Sequence, residues 1–236
     1  MDQIRLNKFL AERLGLSRRE ADDLIAAGKV FLNEKPAKLG VRLDKNDKVC
    51  YNGKIVPFET DFTYLAFNKP VGFVCSRRAQ GQSPTLYDLL PPEYHRLKTV
   101  GRLDKDSSGL ILLTNDGDFA YEMTHPKFHK EKLYEVELDR DLEPLHQQMI
   151  SDYGVKLDDG VSKFTVIRDD SHDQTRAEKS APDRKHFTVI LTEGRNRQIR
   201  RTFAALGYTV VKLHRVSFGK YTLTSLKPGE YVIIKP

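Results

Sequence analysis

The period of the apolar residues changes at Gly28, and that change limits what the first sixty residues can build. Before it, Leu6, Phe9, Leu10 and Leu14 recur three or four apart, which lays one apolar stripe along a helix that Gly15 closes. Ser17 with Glu20 three residues later is a capping-box pattern, so a second helix starts there, buries Ala21, Leu24 and Ile25, and stops at Gly28. After it come short β-type runs at residues 29–32, 48–51 and 54–56. Asn52-Gly53 joins the last two as a two-residue hairpin, because both residue types accept positive φ. Two helices followed by a small sheet is the unit this predicts, over residues 1–57.

Residues 58–62 are short, mixed in character and weakly apolar, which reads as a linker. From residue 63 the chain resumes as β-type runs at 63–67, 110–114, 133–138, 164–168 and 187–191, with a helix over 197–206 ended by Gly207. Residues 169–185 are polar, charged and contain Pro182, and are expected to form an extended surface loop. The order of elements is α+β, without regular βαβ alternation. The 236 residues suit a small domain followed by a larger one at 63–236.

Lys plus Arg less Asp plus Glu is 39 − 33 = +6, which favours a polyanionic partner. The excess is concentrated. Residues 194–220 hold Arg195, Arg197, Arg200, Arg201, Lys212, Arg215 and Lys220 with no acid, so the rest of the chain is nearly neutral. Cys50 and Cys75 lie far apart, and no apolar segment follows Met1, so a reduced, cytoplasmic protein is expected. Apolar runs such as residues 110–113 fall far short of the ~18 residues of a membrane span. The seven histidines show no metal-ligand spacing, and no metal site is expected.

The stretch Gly101-Arg102-Leu103-Asp104-Lys105-Asp106-Ser107-Ser108-Gly109 is a polar, glycine-bounded loop that runs straight into the apolar residues Leu110, Ile111, Leu112 and Leu113. A carboxylate at the entrance of a buried strand is placed to act as a nucleophile. On turn chemistry alone, a loop that Asp104 and Asp106 merely cap or turn is the better-supported reading.

From Gly101 to Asn115 this stretch resembles the signature of the pseudouridine synthases that modify single sites in ribosomal RNA. Further segments agree in order and spacing: Phe67-Asn68-Lys69-Pro70-Val71-Gly72, Lys132-Leu133-Tyr134-Glu135-Val136 and Glu193-Gly194-Arg195-Asn196-Arg197-Gln198-Ile199-Arg200-Arg201. The first sixty residues separately resemble the small RNA-binding domain named for ribosomal protein S-four, through Arg5-Leu6-Asn7-Lys8-Phe9-Leu10, Ser17-Arg18-Arg19-Glu20-Ala21 and Gly28-Lys29-Val30. The resemblance implies a catalytic domain built on a mixed, mostly antiparallel sheet with flanking helices. It also implies isomerisation of a specific uridine without a cofactor, on ribosomal RNA or an assembling ribosomal subunit. A monomer is expected.

It further implies a role for each matching residue. Asp104 would attack the nucleoside, the bond between uracil and ribose would break, and the retained base would turn and rejoin through carbon. Tyr134, of the Lys-x-Tyr element, would stack on the uracil and later help remove a proton. Its neighbours Leu133, Val136 and Leu138 also fit a plain core strand. Arg200, of the Gln-Ile-Arg element, would pair with Asp104 and hold it ionised, while Arg197, three residues earlier and able to share its helix face, competes for that role and Arg201 is directed elsewhere. RNA contacts are expected from Arg5, Lys8, Arg18, Arg19, Lys29, Lys69, Arg102, Arg195, Arg197 and Arg201. Arg18 and Arg19 fall in the first turn of a helix, where cations oppose the macrodipole unless a phosphate compensates them. Two other classes compete. A catalytically silent RNA-binding or ribosome-assembly protein would tolerate loss of Asp104 or Tyr134, and a metal-dependent nuclease would need more clustered acids than this loop offers.

Overall fold

The computed structural model describes residues 3–59, 61–77, 81–168 and 184–236. The loop expected over 169–185 falls almost wholly outside them.

The amino-terminal unit runs β1 (Ile4–Arg5), α1 (Leu6–Arg13), α2 (Arg18–Ala26), β2 (Val30–Leu32), β3 (Lys35–Pro36), β4 (Arg42–Leu43), β5 (Val49–Tyr51) and β6 (Lys54–Val56). Its α2 begins with the full capping box: Glu20 N–H donates to the Ser17 hydroxyl at 3.1 Å, and Ser17 N–H donates to the Glu20 carboxylate at 2.7 Å. Such a cap is worth about 1 kcal/mol. At Asn52 and Gly53 φ is 49° and 73°, the left-handed pair that a two-residue hairpin turn requires. Phe9, Leu10, Ala21, Ile25, Val30 and Val49 form this unit's own apolar core.

The larger part contains β7 (Tyr64–Lys69), β8 (Lys98–Val100), β9 (Ser108–Thr114), α3 (Gly117–Thr124), β10 (Lys132–Leu138), α4 (Pro144–Gln148), β11 (Val155–Leu157), β12 (Gly160–Ser162), β13 (Thr165–Arg168), β14 (His186–Leu191), α5 (Gln198–Ala205), β15 (Val210–Phe218), β16 (Tyr221–Thr222) and β17 (Tyr231–Ile233). Among the described residues nine strands join one sheet in the order β13-β14-β10-β15-β9-β7-β17, with β16 on β15 and β8 on β9. The pairings are antiparallel except that of β15 with β9. β9 is apolar along both faces because each is covered: Ile111 and Leu113 enter one core with Phe203 and Val189, and Leu110 and Leu112 another with Met123 and Phe218.

The parallel step brings the site together. His214 lies beside Ser108 and Arg215 beside Gly109, so the carboxyl-terminal strand meets the exit of the Asp104 loop. Gly109 has φ +105°, and a Cβ there would sit 2.3 Å from the Arg215 carbonyl oxygen, so only glycine permits this approach. The two parts of the chain touch directly. Lys98 donates to the Leu16 carbonyl at 2.6 Å, Arg77 to that of Gly15 at 3.0 Å, and Lys8 to the Asp118 carboxylate at 2.5 Å.

Candidate active site

Asp104 stands on a loop whose backbone is anchored on either side of it. The Cys75 thiol donates to the Leu103 carbonyl at 3.2 Å and accepts from the Leu103 N–H at 3.3 Å. Gly72 N–H donates to the Lys105 carbonyl at 2.7 Å. Arg200 donates to the Asp106 carbonyl at 2.8 Å, and its other terminal nitrogen to that of Val210 at 2.7 Å. The Lys69 ammonium donates to the Ser107 carbonyl at 2.7 Å and to that of Pro70 at 2.8 Å.

Lys69 therefore corrects one expectation. It was expected to touch RNA, but it is fully buried, and burial pushes its pKa down, offset in part by Cys75, Asp104 and Asp106. Buried cations are kept where they satisfy backbone carbonyls, and Lys69 does so under the loop.

The arginines divide the work differently from the order expected. Arg197, not Arg200, approaches Asp104, at 3.6 Å between Nη1 and Oδ2. Arg197 also grips Asp106 with two parallel hydrogen bonds of 2.9 Å. That fork holds the Asp106 carboxyl below its ordinary range, against an opposing effect of burial and with help from Arg200. Arg200 lies 3.3 Å from the Asp106 carboxylate and binds loop backbone instead of Asp104. Arg197 itself precedes the helix in a left-handed conformation, φ 47°, and both arginines converge on the Asp106 carboxylate. Among the described residues no hydrogen bond engages the Asp104 carboxylate. It is left one cation at the edge of contact, which leaves it open to react.

Beside it lies a cavity of about 240 Å3, lined by Asp104, Tyr134, Lys132, Arg102, Leu213 and Arg215 among others. Tyr134 is 7 % exposed and sits in β10 opposite Val189 on one side and Arg215 on the other. Lys132, two residues earlier and so on the same face, has its pKa pushed down to about 8 by burial and then by Arg215. Ser107 and Ser108 are both tied within the protein, the second through a 2.9 Å contact of its hydroxyl with His214 Nδ1.

The other expected RNA contacts fall into groups. Arg195 and Arg201 both bind the Asp159 carboxylate, at 3.0 and 2.7 Å. Arg102 is exposed at the cavity rim. Arg5, Arg18, Arg19 and Lys29 are exposed on the amino-terminal unit. Arg5, Lys8 and Arg18 line a shallow notch of about 460 Å3 together with Arg42 and Asp118.

Residues 63–205 match the family described as RNA pseudouridylate synthase, and residues 4–49 match the S4 domain. The chain belongs to the RNA pseudouridylate synthase family. It is 36% identical to the ribosomal small subunit pseudouridine synthase A of Pasteurella multocida over 97% of this chain and 94% of that one. It is also 36% identical to the ribosomal large subunit pseudouridine synthase B of Pseudomonas aeruginosa, over 96% of this chain and 58% of that one. A solved pseudouridylate synthase shares 32% identity and superposes with a TM-score of 0.67, covering 98% of this chain and 96% of its own. Sequence patterns alone did not single out Lys132 and Arg215 as pocket residues. The signal available was the two-residue period that puts 132 with 134 and 213 with 215 on one face. No helix among the described residues is long and apolar enough to cross a membrane.

Proposed function

We propose that this synthase isomerises a specific uridine of ribosomal RNA to pseudouridine, with Asp104 as the nucleophile. One observation carries the assignment. A carboxylate that no hydrogen bond engages among the described residues faces a cavity walled by a tyrosine and by cations, on a loop tied down at each neighbouring residue. Asp104 attacks the sugar carbon that bears the base, and the glycosidic electron pair leaves with uracil N1. The base turns, its C5 bonds to the sugar, the carboxylate is released, C5 loses a proton and N1 gains one. No atom is added overall, so the chemistry needs neither metal nor cofactor.

Tyr134 is placed to stack on the extruded base and to take part in removing the C5 proton. Arg197 lies beside the Asp104 carboxylate and orients it, while Arg200 and Lys69 hold the loop. The unit at 1–57, joined through 58–62 to the catalytic domain at 63–236, grips RNA through Arg5, Arg18, Arg19 and Lys29. The target nucleotide must leave its stack, so loops, bulges and incompletely assembled RNA suit it better than perfect duplex. Unpaired Cys50 and Cys75 fit a reducing compartment such as the cytoplasm.

Chemical mapping of pseudouridines in ribosomal RNA from cells with and without the gene tests the assignment. A site that disappears with the gene is expected, and an identical map in both would refute ribosomal RNA as the substrate.

A further inference from the structure

The inner wall of the cavity holds a cation with an unused donor. Arg215 is 1% exposed, its Nε donates to the Leu110 carbonyl at 2.7 Å, and its guanidinium lies 4.9 Å from the centre of the Phe218 ring. Its Nη2 is buried and has no hydrogen-bond partner among the described residues. The Lys132 ammonium lies 5.1 Å from the same ring and, among the described residues, hydrogen-bonds only the carbonyls of Lys130 and Glu193, at 3.3 and 3.4 Å. Two cations that repel each other in a buried wall, one with an orphaned donor, are unfavourable until an anionic oxygen arrives.

The reaction produces such an oxygen. When the glycosidic electron pair leaves with N1, the detached uracil is an anion whose charge spreads over N1, C5 and its two carbonyl oxygens. We propose that Arg215, seconded by Lys132, donates to a carbonyl oxygen of the target uracil and stabilises the negative charge that develops there as the base detaches. This rests on the function proposed above. A backbone phosphate is the other anion at hand, but phosphates stay with the sugar chain at the cavity mouth, whereas Arg215 Nη2 lies at the buried wall beside Tyr134. Donors fixed in advance where charge develops act on the rate more than on binding.

Full-length wild type, Arg215→Lys and Lys132→Gln are compared on unmodified small- and large-subunit ribosomal RNA transcribed in vitro. Single-turnover rate, affinity and the salt dependence of affinity are measured for each. Arg215→Lys is expected to slow turnover at least tenfold, and Lys132→Gln severalfold, with affinity within twofold and an unchanged salt slope. Rates within twofold of wild type overturn the proposal, as does affinity that falls in step with rate with a flatter salt slope, which identifies a phosphate contact. If Arg215→Lys does not fold, judged by circular dichroism, the same split for Lys132→Gln decides. A wild type that forms no pseudouridine on either RNA defeats the proposed function itself, whereas an active wild type with unimpaired variants defeats this inference alone.

Discussion

The amino-terminal unit and the catalytic cleft both carry clustered cations, but they hold them differently. On the amino-terminal unit Arg5, Arg18, Arg19 and Lys29 are exposed, and among the described residues no ion pair engages their side chains. Around the cleft Arg195, Arg197 and Arg201 are each committed to a carboxylate, and Arg200 to the carbonyls of Asp106 and Val210. An unpaired surface cation keeps its reach and its counterions, which suits attraction to phosphate that weakens with salt. A cation forked onto a carboxylate loses that freedom and gains a fixed position. The first group should therefore govern how tightly RNA is held, and the second how fast it reacts.

The sharpest way to break this division is to neutralise the acid that the cleft serves. Asp104→Asn keeps the side chain's shape but removes the nucleophile. Turnover should fall more than about a thousandfold while affinity for RNA stays within a few-fold. Appreciable turnover by that variant would remove Asp104 from the mechanism and leave the cleft without a purpose.

Arg197→Ala comes next. It removes the fork on Asp106 and, among the described residues, the cation that forms an ion pair with Asp104, and losses of about a hundredfold follow when a reacting group is displaced by an ångström. The rate measured at saturating RNA should drop by roughly that factor, with the salt slope unchanged. A variant that instead binds RNA more weakly and reacts at full speed would move Arg197 into the binding group.

Smaller still is the effect of Arg18→Ala combined with Arg19→Ala. Each lost phosphate contact lowers the slope of log affinity against log salt by about one, so the pair should flatten it by about two. Affinity should fall severalfold at low salt, and the single-turnover rate at saturation should not change. An unaltered slope would mean that these arginines are only solvated surface.

Much of this contrast could be read in the sequence, and the part that could not has a physical cause. The capping box at Ser17, the turn at Asn52-Gly53 and the strand after Gly109 depend on residues close in sequence, and each formed where local chemistry put it. Asp104 and Tyr134 come to one cavity as the motif resemblance implied. Which of Arg197 and Arg200 comes nearer Asp104 could not be read, because Arg197 is a left-handed residue ahead of the helix. Helical spacing assumes that both arginines lie on the helix. Nor could the burial of Lys69, since a lysine beside a β-run looks the same whether its ammonium meets water or two carbonyls. Arg215 reaches the cavity only through the parallel pairing of β15 with β9, a contact between residues more than a hundred positions apart.

The least of these effects concerns stability, and it separates Lys132 from the paired cations around it. Burial and Arg215 push its pKa down to about 8 in the folded protein, from 10.5 for an ordinary lysine. Below pH 8 the lysine is charged in both states, and the folded state bears the whole penalty. Between 8 and 10.5 the folded protein has released the proton while the unfolded chain keeps it. The unfolded state then binds more protons, and stability rises with pH. Lys132→Met carries no such charge, and its thioether suits the Phe218 ring that the lysine covers. The variant should melt about 2–4 °C above wild type at pH 7, the change that about 1 kcal/mol produces in a chain of this size. That gap should narrow as pH rises from 8 toward 10.5, and because both proteins share every other titrating group, the narrowing belongs to Lys132. Thermal melts of the two at pH 7, 8, 9 and 10 provide the measurement. A gap that stays constant across the series, or a wild type that melts higher at pH 7, would show that Lys132 is as well satisfied as Arg197, and that the cavity wall does not await an anion.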